Sequence, residues 1–110
     1  MGSSDSPWIA TFTGRKFHFL DPAENEIAIV DIAHHLSLIC RFTGAVKSFY
    51  SVAEHSLRVA EVCPPELRLG ALLHDAAEAY LNDISKPVKE TRSLETTERK
   101  ITEAIEKKYG

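Results

Sequence analysis

One histidine and two carboxylates stand together in an otherwise apolar stretch of the sequence, Ala-Leu-Leu-His74-Asp75-Ala-Ala-Glu78. On a helix, side chains three and four positions apart lie on the same face, so these polar groups would project from one side. An unpaired charge among apolar neighbours is costly, and a compensating group must therefore face them. The preceding predicted helix offers such a group in His55.

Two imidazoles and a carboxylate that converge between antiparallel helices form a divalent-metal site with open positions for water or substrate. His55, His74 and Asp75 are therefore candidate metal ligands. The residues alone also allow a simpler interpretation, in which both histidines are hydrogen-bonded core residues and Asp75 caps a helix or pairs with a lysine. Of the neighbours His34 and His35, only one can face the core, because adjacent helical residues point about 100° apart.

The elements that must position these residues follow from the spacing of apolar side chains. Residues 8–20 alternate apolar and polar side chains around Thr13-Gly14, which predicts a short N-terminal β-hairpin. From about Ile27 to near Gly44, apolar residues recur at three- and four-residue steps and predict a first helix. Those apolar positions are Ile29, Ile32, Ala33, Leu36, Ile39 and Cys40.

A second helix is predicted to begin at Ser51, because Ser51 and Glu54 have the spacing of a capping box. It is expected to end before Pro64-Pro65, which cannot continue a helix. His55 lies on its predicted inner face. The apolar residues of that face are Val52, Val59 and Val62.

The third predicted helix, residues 65–81, carries the histidine and the two carboxylates and is the most apolar of the chain. Its inward stripe consists of Leu69, Leu72, Leu73, Ala76 and Tyr80. Residues 82–87 have the composition of a turn, and a charged helix is predicted from Ser93 onward. The clear apolar positions of that last helix are Leu94, Ile101, Ala104 and Ile105.

Composition limits the class of protein. With 110 residues, 44% of them hydrophobic, the chain is expected to form one domain with a modest core. Its formal charge of −3 argues against binding of polymeric nucleic acid. The apolar runs are shorter than the roughly 20 residues of a membrane helix, and the start of the chain lacks the layout of a signal peptide. We therefore expect a cytoplasmic protein without membrane contact, in which Cys40 and Cys63 are buried thiols.

These patterns together predict a small all-α bundle with a short N-terminal β-hairpin. Residues 1–7 are expected to form a flexible N-terminus and residues 8–110 a single domain. Within this domain the hairpin is expected at about 8–20 and the helical bundle at about 27–109.

Several segments of the chain form an ordered set across about residues 11–90. They are TFTGRKFHFLDP, Asp31-Ile-Ala-His34, Cys40-Arg41-Phe42, Tyr50-Ser-Val-Ala-Glu-His55-Ser, ALLHDAAEAY and Asp83-Ile-Ser-Lys-Pro-Val-Lys89. This set resembles the HD-domain superfamily of metal-dependent phosphohydrolases, in particular its 5′-deoxynucleotidase-like branch and phage-type relatives. The ligand pattern of the superfamily is one His, an adjacent His-Asp pair and a distant Asp. His55, His74 and Asp75 match its first three members, and His34 also matches the relatives.

The resemblance implies a role for several further residues and a divalent cofactor, which could be Mn, Co, Fe, Mg or Zn. Glu78 would orient or deprotonate a water on the metal, Asp83 would meet the sugar or a proton in transfer, and Arg41 would contact the substrate phosphate. A carboxylate one helical turn from the ligands suits the first role, and a planar guanidinium suits the last. Lys86 and Lys89, close to Asp83 in sequence, could add positive charge for the phosphate.

The chain departs from the superfamily pattern in one respect. In the relatives the distant Asp lies on a later helix, whereas no Asp follows Asp83 in this sequence. The chain is therefore expected to be shortened at its C-terminus, or a carboxylate such as Asp83, Glu98 or one of a partner replaces the ligand. Asn82 stands where relatives tend to have Gly, which is tolerable because Asn accepts a left-handed φ. The last helix has too small an apolar face to cover the pocket, so a homodimer bringing Glu98 or Glu103 near the site is expected.

The function that these observations predict is that of a divalent-metal phosphomonoesterase acting on small phosphate esters, most simply nucleoside 5′-monophosphates. The alternative is a degenerate HD module that binds a nucleotide or a protein partner without turnover. Metal content and release of inorganic phosphate distinguish the two.

Overall fold

Helices make up most of the structure, and one small β-hairpin precedes them, as the sequence predicts. A computed structural model describes residues 6–92 and 94–110. Most of the segment 1–7, which is expected to be flexible, lies outside the described residues, as does Ser93, the predicted start of the last helix. The helices are α1 (Ile29–Leu38), α2 (Val52–Glu61), α3 (Arg68–Leu73), α4 (Glu78–Leu81), α5 (Lys86–Arg92) and α6 (Glu95–Tyr109). Single 3₁₀ turns lie at Glu24–Glu26 and Pro65–Leu67, and a turn with left-handed residues lies at Arg41–Gly44.

The hairpin consists of two short antiparallel strands, β1 (Ile9–Ala10) and β2 (Lys16–Phe17). Gly14 in the connecting turn has a φ of 89°, a conformation that glycine adopts without steric cost. Phe17 is fully buried and stacks on Tyr80 of α4, with 3.8 Å between ring centroids. The hairpin therefore contributes its largest apolar side chain to the core beside α4.

Two side chains of α1 fasten the tip of the hairpin. Asp31 is fully buried and accepts hydrogen bonds from the N–H and the hydroxyl of Thr13, at 2.8 and 2.9 Å. His35 accepts from the Phe12 N–H at Nε2 (3.1 Å) and contacts the Ala79 carbonyl through Nδ1 (2.8 Å). Because an amide N–H only donates and a carbonyl only accepts, these two bonds assign the Nδ1–H tautomer to His35.

The predicted end of the first helix is wrong, because α1 stops at Leu38 and does not reach Gly44. Ile39 is extended, with φ −96° and ψ 121°, and its carbonyl accepts the Val52 N–H at 2.9 Å. Cys40 then forms an isolated antiparallel bridge with the residue that precedes α2. Pairing with the start of α2 thus replaces the last helical turns that the apolar spacing suggests.

The predicted core positions of the helices are confirmed only in part. Ile32 and Leu36 of α1 are buried, as are Ala76 and Tyr80. The corrections are Ile29, Ala33, Val62 and Leu69, which are exposed, and Cys40 and Cys63, which are only half-buried. The physical reason is that neighbouring elements cover only part of the apolar stripe of each helix. The described core contains few large side chains, so it reaches only the central positions of each stripe.

The predicted start of α2 is confirmed. Ser51 accepts the Glu54 N–H at 3.0 Å, which satisfies one of the free amides of the first helical turn. The carboxylate of Glu54 binds Arg58 at 2.8 Å, an i,i+4 pair on the helix surface. Glu54 therefore supplies the spacing of a capping box without the reciprocal side-chain bond.

The third predicted helix, residues 65–81, is divided in the structure. α3 ends at Leu73, and residues 74–77 form a tight turn before α4. The Glu78 N–H donates to the Asp75 carbonyl at 3.0 Å, which is the three-residue spacing of a 3₁₀ helix. Apolar periodicity does not reveal this change of winding, because the two helix types differ little over a single turn.

α5 is absent from the predicted elements, which have only a turn at residues 82–87. Its second residue is Pro87, and the first turn of a helix tolerates proline because its amides lack an internal partner. α6 agrees with the prediction, since Ile101 and Ile105 are buried. The core cluster consists of Phe17, Ile27, Ile32, Leu36, Val52, Ala76, Ala77, Ala79, Tyr80, Ile101 and Ile105. No helix among the described residues has the length and the apolar character needed to cross a bilayer.

Candidate metal centre

The structure brings His55, His74 and Asp75 together, and one ligand atom from each lies within 4.8 Å of the other two. His55 Nε2 is 4.0 Å and His74 Nε2 is 3.0 Å from Asp75 Oδ2. The two imidazole centroids are 5.7 Å apart. α2 supplies His55, and the tight turn that follows α3 supplies the other two, so the packing of α2 against α3 sets the geometry.

A hydrogen bond on the far side of the His74 ring directs its lone pair toward Asp75. Nδ1 of His74 lies 2.6 Å from the Ala71 carbonyl, which can only accept, so Nδ1 carries the hydrogen. Nε2 then presents a lone pair to the carboxylate oxygen 3.0 Å away. Two acceptor atoms at this distance repel each other, and a metal ion between them would turn the repulsion into attraction.

The spacing of the ligand atoms is slightly wider than that around a bound metal ion. Ligand atoms about 2.1 Å from an ion lie roughly 3.0–3.4 Å apart at octahedral or tetrahedral angles and at most about 4.2 Å apart. The His74–Asp75 separation of 3.0 Å is within this range, and the His55–Asp75 separation of 4.0 Å is at its limit. The set of three ligand atoms as a whole spans up to 4.8 Å, which is wider than an ion allows. Binding therefore needs an inward movement of His55 by up to about 1.5 Å, which a change in its side-chain torsions supplies.

The surroundings of His55 also favour metal binding, because they lower its pKa. Burial lowers the pKa of His55, and the positive charge of Arg41 lowers it further, while Asp75 acts in the opposite sense. A histidine must be neutral to ligate a metal, and a lowered pKa keeps more of it neutral near pH 7. Proton competition at His55 is thereby reduced.

The site is open to solvent. The exposed fraction of the side chain is 21% for His55, 28% for Asp75 and 40% for His74. Their polar groups are therefore not enclosed in an apolar core. The expectation that they lie buried among apolar neighbours, and need a facing group for that reason, is wrong. Ligand residues that are accessible to solvent leave space for exchangeable ligands at an ion.

Glu78 lies on the α4 side of the same turn and is half-buried. Burial raises the pKa of Glu78 to about 8, with the negative charges of Asp75 and Asp83 acting in the same direction and Lys89 opposing them. Glu78 therefore holds a proton near neutral pH as long as no cation lies nearby. A cation at the three ligands would favour the ionised form.

Arg41 is connected to His55 through an aromatic ring. Its guanidinium lies 4.3 Å from the centroid of the Phe42 ring and 5.6 Å from that of Tyr50. The Tyr50 ring meets His55 edge to face, with 6.4 Å between centroids. The predicted phosphate-binding residue is thus beside the ligand cluster, held by contacts that suit a guanidinium.

Asp83 lies beside the residue that follows Arg41, because its Oδ2 accepts the Phe42 N–H at 3.0 Å. The preceding residue, Asn82, has a φ of 75°, which confirms that Asn tolerates the left-handed backbone here. A cavity of about 530 Å³ adjoins this contact. It is lined by Leu38, Ile39, Cys40, Thr43, Gly44, Asn82, Asp83, Ile84, Ser85 and Val88.

The two lysines lie on α5. Lys89 binds Glu98 of α6 at 3.0 Å, and this pair outweighs the effect of burial and raises the pKa of Lys89. Lys86 is exposed. It borders a cleft between α5 and α6 that Lys89 and Glu98 also line. The structure therefore engages Lys89 in an ion pair beside Glu78. Glu98, considered as a replacement ligand, is occupied by that pair.

The side of the site next to His74 is uncovered. A cleft of about 510 Å³ separates α3 from the end of α6. Its lining consists of Leu69, Gly70, Leu73, His74, Thr102, Glu106, Tyr109 and Gly110. This open, partly apolar side agrees with the small apolar face predicted for the last helix.

Two features of the site were not predicted. Phe42 and Thr43 have φ values of 57° and 55°, a left-handed conformation that bulky residues rarely adopt. Only Gly44, directly after them, signals a turn in the sequence. Tyr50, which separates Arg41 from His55, belongs to a recognisable segment, but nothing in its spacing indicates contact with a guanidinium.

The sequence is similar to two proteins of bacteria, and no family model matches it. It is 42% identical over 104 residues to the uncharacterized protein YfdR of Escherichia coli (strain K12). It is 38% identical over 114 residues to an uncharacterized protein of Rhodobacter capsulatus. Each match covers 94% of this chain and 58% of the relative, so the chain spans less than two thirds of the length of these proteins.

Proposed function

We propose that this chain is an HD-type domain that binds one divalent metal ion and hydrolyses small phosphate monoesters, with nucleoside 5′-monophosphates as the substrate class. The observation that carries the proposal is the convergence of His55, His74 and Asp75, in which the Nδ1 bond of His74 directs Nε2 toward the carboxylate. The resemblance of the ordered segments to that superfamily supports it. We also propose that the protein acts in the cytoplasm.

His55, His74 and Asp75 would hold the cation. A divalent cation in such a site supplies Lewis-acid polarisation of a phosphoryl oxygen and increases the acidity of water. The remaining chemistry belongs to the protein. Glu78 accepts or holds a proton at a carboxylate oxygen, and its half-buried position with a pKa of about 8 in the metal-free chain makes it responsive to a nearby cation.

Arg41 and the neighbouring cavity suit a phosphorylated nucleoside. The guanidinium of Arg41 carries a fixed positive charge and a planar donor set for phosphate oxygens. The cavity beside Asp83 combines apolar walls, such as Ile39 and Val88, with the polar side chains of Thr43 and Asp83. An aromatic base and a hydroxylated sugar require this combination.

The test combines metal analysis with a phosphatase assay. The purified chain is analysed for bound metal, and release of inorganic phosphate from nucleoside 5′-monophosphates is measured with Mn, Co or Mg added. Asp75→Ala is expected to abolish metal retention, whereas Glu78→Ala is expected to keep the metal and lose hydrolysis. His18→Ala is the matched control, because His18 binds Glu26 away from the three ligands.

The outcomes separate the possibilities. Metal retention without turnover of any phosphate ester would favour a module that binds a nucleotide or protein partner without catalysis. The open, three-ligand site is the observation that favours this second function. Equal loss of metal in Asp75→Ala and Glu78→Ala would make Glu78 a ligand. A wild-type chain that takes up no metal would contradict the proposed phosphohydrolase.

A further inference from the structure

The strained backbone of the described chain is concentrated at one place. Phe42, Thr43 and Asn82 are the non-glycine residues with positive φ among the described residues, at 57°, 55° and 75°. Gly44 follows with a φ of 85°. Backbone conformations of this kind persist only where the surrounding contacts impose them.

A single hydrogen bond joins the two strained segments. Oδ2 of Asp83 accepts the Phe42 N–H at 3.0 Å, although the two residues are far apart in sequence. On one side of this bond lies the left-handed turn that starts at Phe42, and on the other lies Asn82, whose Oδ1 accepts the Asp83 N–H at 2.7 Å. Among the described contacts, the Phe42 amide donates to this carboxylate and takes part in no helical or β-sheet hydrogen bond.

The orientation of Arg41 depends on the same turn. The Arg41 N–H donates to the Tyr50 carbonyl at 2.8 Å, which fixes the backbone on one side. The guanidinium lies over the Phe42 ring at 4.3 Å and near the Tyr50 ring at 5.6 Å. If the backbone at Phe42 returned to an ordinary conformation, its ring would point elsewhere and the guanidinium would lose one of its two aromatic contacts.

We propose that Asp83 is a positioning residue: by accepting the Phe42 N–H it holds the left-handed turn at residues 42–44 and thereby keeps the Arg41 guanidinium beside Tyr50 and His55. This inference rests on the proposed function in one respect, namely that Arg41 binds a phosphate group. The part that concerns the turn does not depend on it. Asp83 then acts through the turn and does not need to exchange a proton with the substrate.

The conservative variant distinguishes positioning from proton transfer. Asp83→Asn keeps a side-chain oxygen that can accept the Phe42 N–H, whereas Asp83→Ala removes it. Neither the charge nor a titratable proton of Asp83 remains in the asparagine variant. Asp21→Ala is the matched control, an exposed aspartate on the loop after the hairpin.

The experiment uses the full chain labelled with ¹⁵N. Hydrogen exchange of the Phe42 amide and the position of the Arg41 Nε–H resonance are measured without metal or ligand, and the affinity for inorganic phosphate is then measured with Mg²⁺ present. In Asp83→Ala we expect the Phe42 amide to exchange at least tenfold faster, the Arg41 resonance to shift as it leaves the aromatic rings, and phosphate affinity to fall at least fivefold. Asp83→Asn is expected to keep the Phe42 exchange rate and the phosphate affinity within twofold of the wild type and to leave the Arg41 resonance in place.

Two results would overturn the proposal. Unchanged Phe42 exchange in Asp83→Ala would show that the carboxylate does not hold the turn. Loss of phosphate affinity in Asp83→Asn with a protected Phe42 amide would show that the carboxylate acts on the ligand directly. If the wild type binds no phosphate, the proposed function fails, and the exchange and Arg41 readouts still decide the positioning role.

Discussion

Two clusters of histidine and aspartate in this chain have similar composition and opposite character. In the first cluster, which fastens the hairpin, Asp31 is fully buried and its oxygens accept the N–H and hydroxyl of Thr13, and both nitrogens of His35 contact backbone groups. In the second cluster, one nitrogen of His74 is bound to a carbonyl and the other faces the oxygen of Asp75. The first cluster is satisfied internally, and the second leaves acceptor atoms directed at one another.

The difference shows that residue type alone does not identify a metal site. Both clusters combine an imidazole with a carboxylate, but only the second brings ligand atoms of three such residues within 4.8 Å of one another. Their electrostatics differ as well. Burial raises the pKa of Asp31, and hydrogen bonds from Thr13 and Thr11 more than reverse this, so its pKa lies below the ordinary value. The first cluster should therefore stabilise the fold and the second should bind a cation.

The largest expected effect on stability is that of Asp31→Ala. The substitution leaves the Thr13 amide and hydroxyl without the buried carboxylate that accepts from them, and hydrogen bonds to a charged group contribute about 1.5–3 kcal/mol each. We expect the free energy of unfolding to fall by about 3 kcal/mol in chemical denaturation at pH 7. Asp75→Ala, the matched change in the metal-free second cluster, is expected to cost less than about 1 kcal/mol because Asp75 is partly exposed. Equal losses would remove the distinction between the clusters.

The next effect concerns Glu78 and pH. Its pKa of about 8 in the fold, against an ordinary value of 4.5, means that the folded chain keeps a proton that the unfolded chain releases between these values. The free energy of unfolding of the metal-free protein should therefore decrease as pH rises from about 4.5 to 8. Glu78→Gln cannot ionise, so it should be more stable than the wild type at pH 8.5, by about 1–2 kcal/mol after allowance for solvent screening.

Thermal unfolding of both proteins at several pH values checks this prediction. The two should have similar stability at pH 4, diverge progressively as pH rises above about 4.5, and differ most above about pH 8. A wild type that gains stability relative to Glu78→Gln as pH rises would mean that Glu78 is ionised in the fold. Glu103→Gln, a change at an exposed position of α6, is the control.

The smallest effect is expected for the cap of α2, which carries His55. Ser51→Ala removes the acceptor of the Glu54 N–H and should lower the free energy of unfolding by about 1 kcal/mol. Ser48→Ala, at an exposed position of the preceding loop, should leave stability within about 0.3 kcal/mol. A cap variant as stable as the control would indicate that the tertiary contacts of α2 alone fix its start.

The parts of the fold with a local cause could be predicted from the sequence. Ser51 and Glu54 define the start of α2 through one side-chain bond, and Asn82 accepts a positive φ because its side chain is short and polar. Ile101 and Ile105 occupy the narrow apolar face that their spacing indicates. Each of these depends on neighbours within one helical turn.

The parts that depend on distant contacts could not be predicted. Leu38 ends α1 because the next residues pair with the start of α2, and Phe42 is left-handed because Asp83 holds its amide. His35 faces the hairpin and α4, a role that a pattern on α1 alone does not assign to either of the two adjacent histidines. The ligand triad itself could be predicted as a set of residues, but the direction of the His74 lone pair required the turn after α3.

The most direct test of the account is a calorimetric titration of the metal-free chain with Mn²⁺ or Zn²⁺ at pH 7.5. We predict one ion per chain, a loss of affinity of at least about 100-fold in His74→Ala and Asp75→Ala, and unchanged affinity in His35→Ala, which alters only the first cluster. One further expectation is that bound metal raises the midpoint of unfolding of the wild type and not of Asp75→Ala. Binding that survives loss of His74 and Asp75, or a wild type that takes up no ion, would contradict the assignment of His55, His74 and Asp75 as the metal centre.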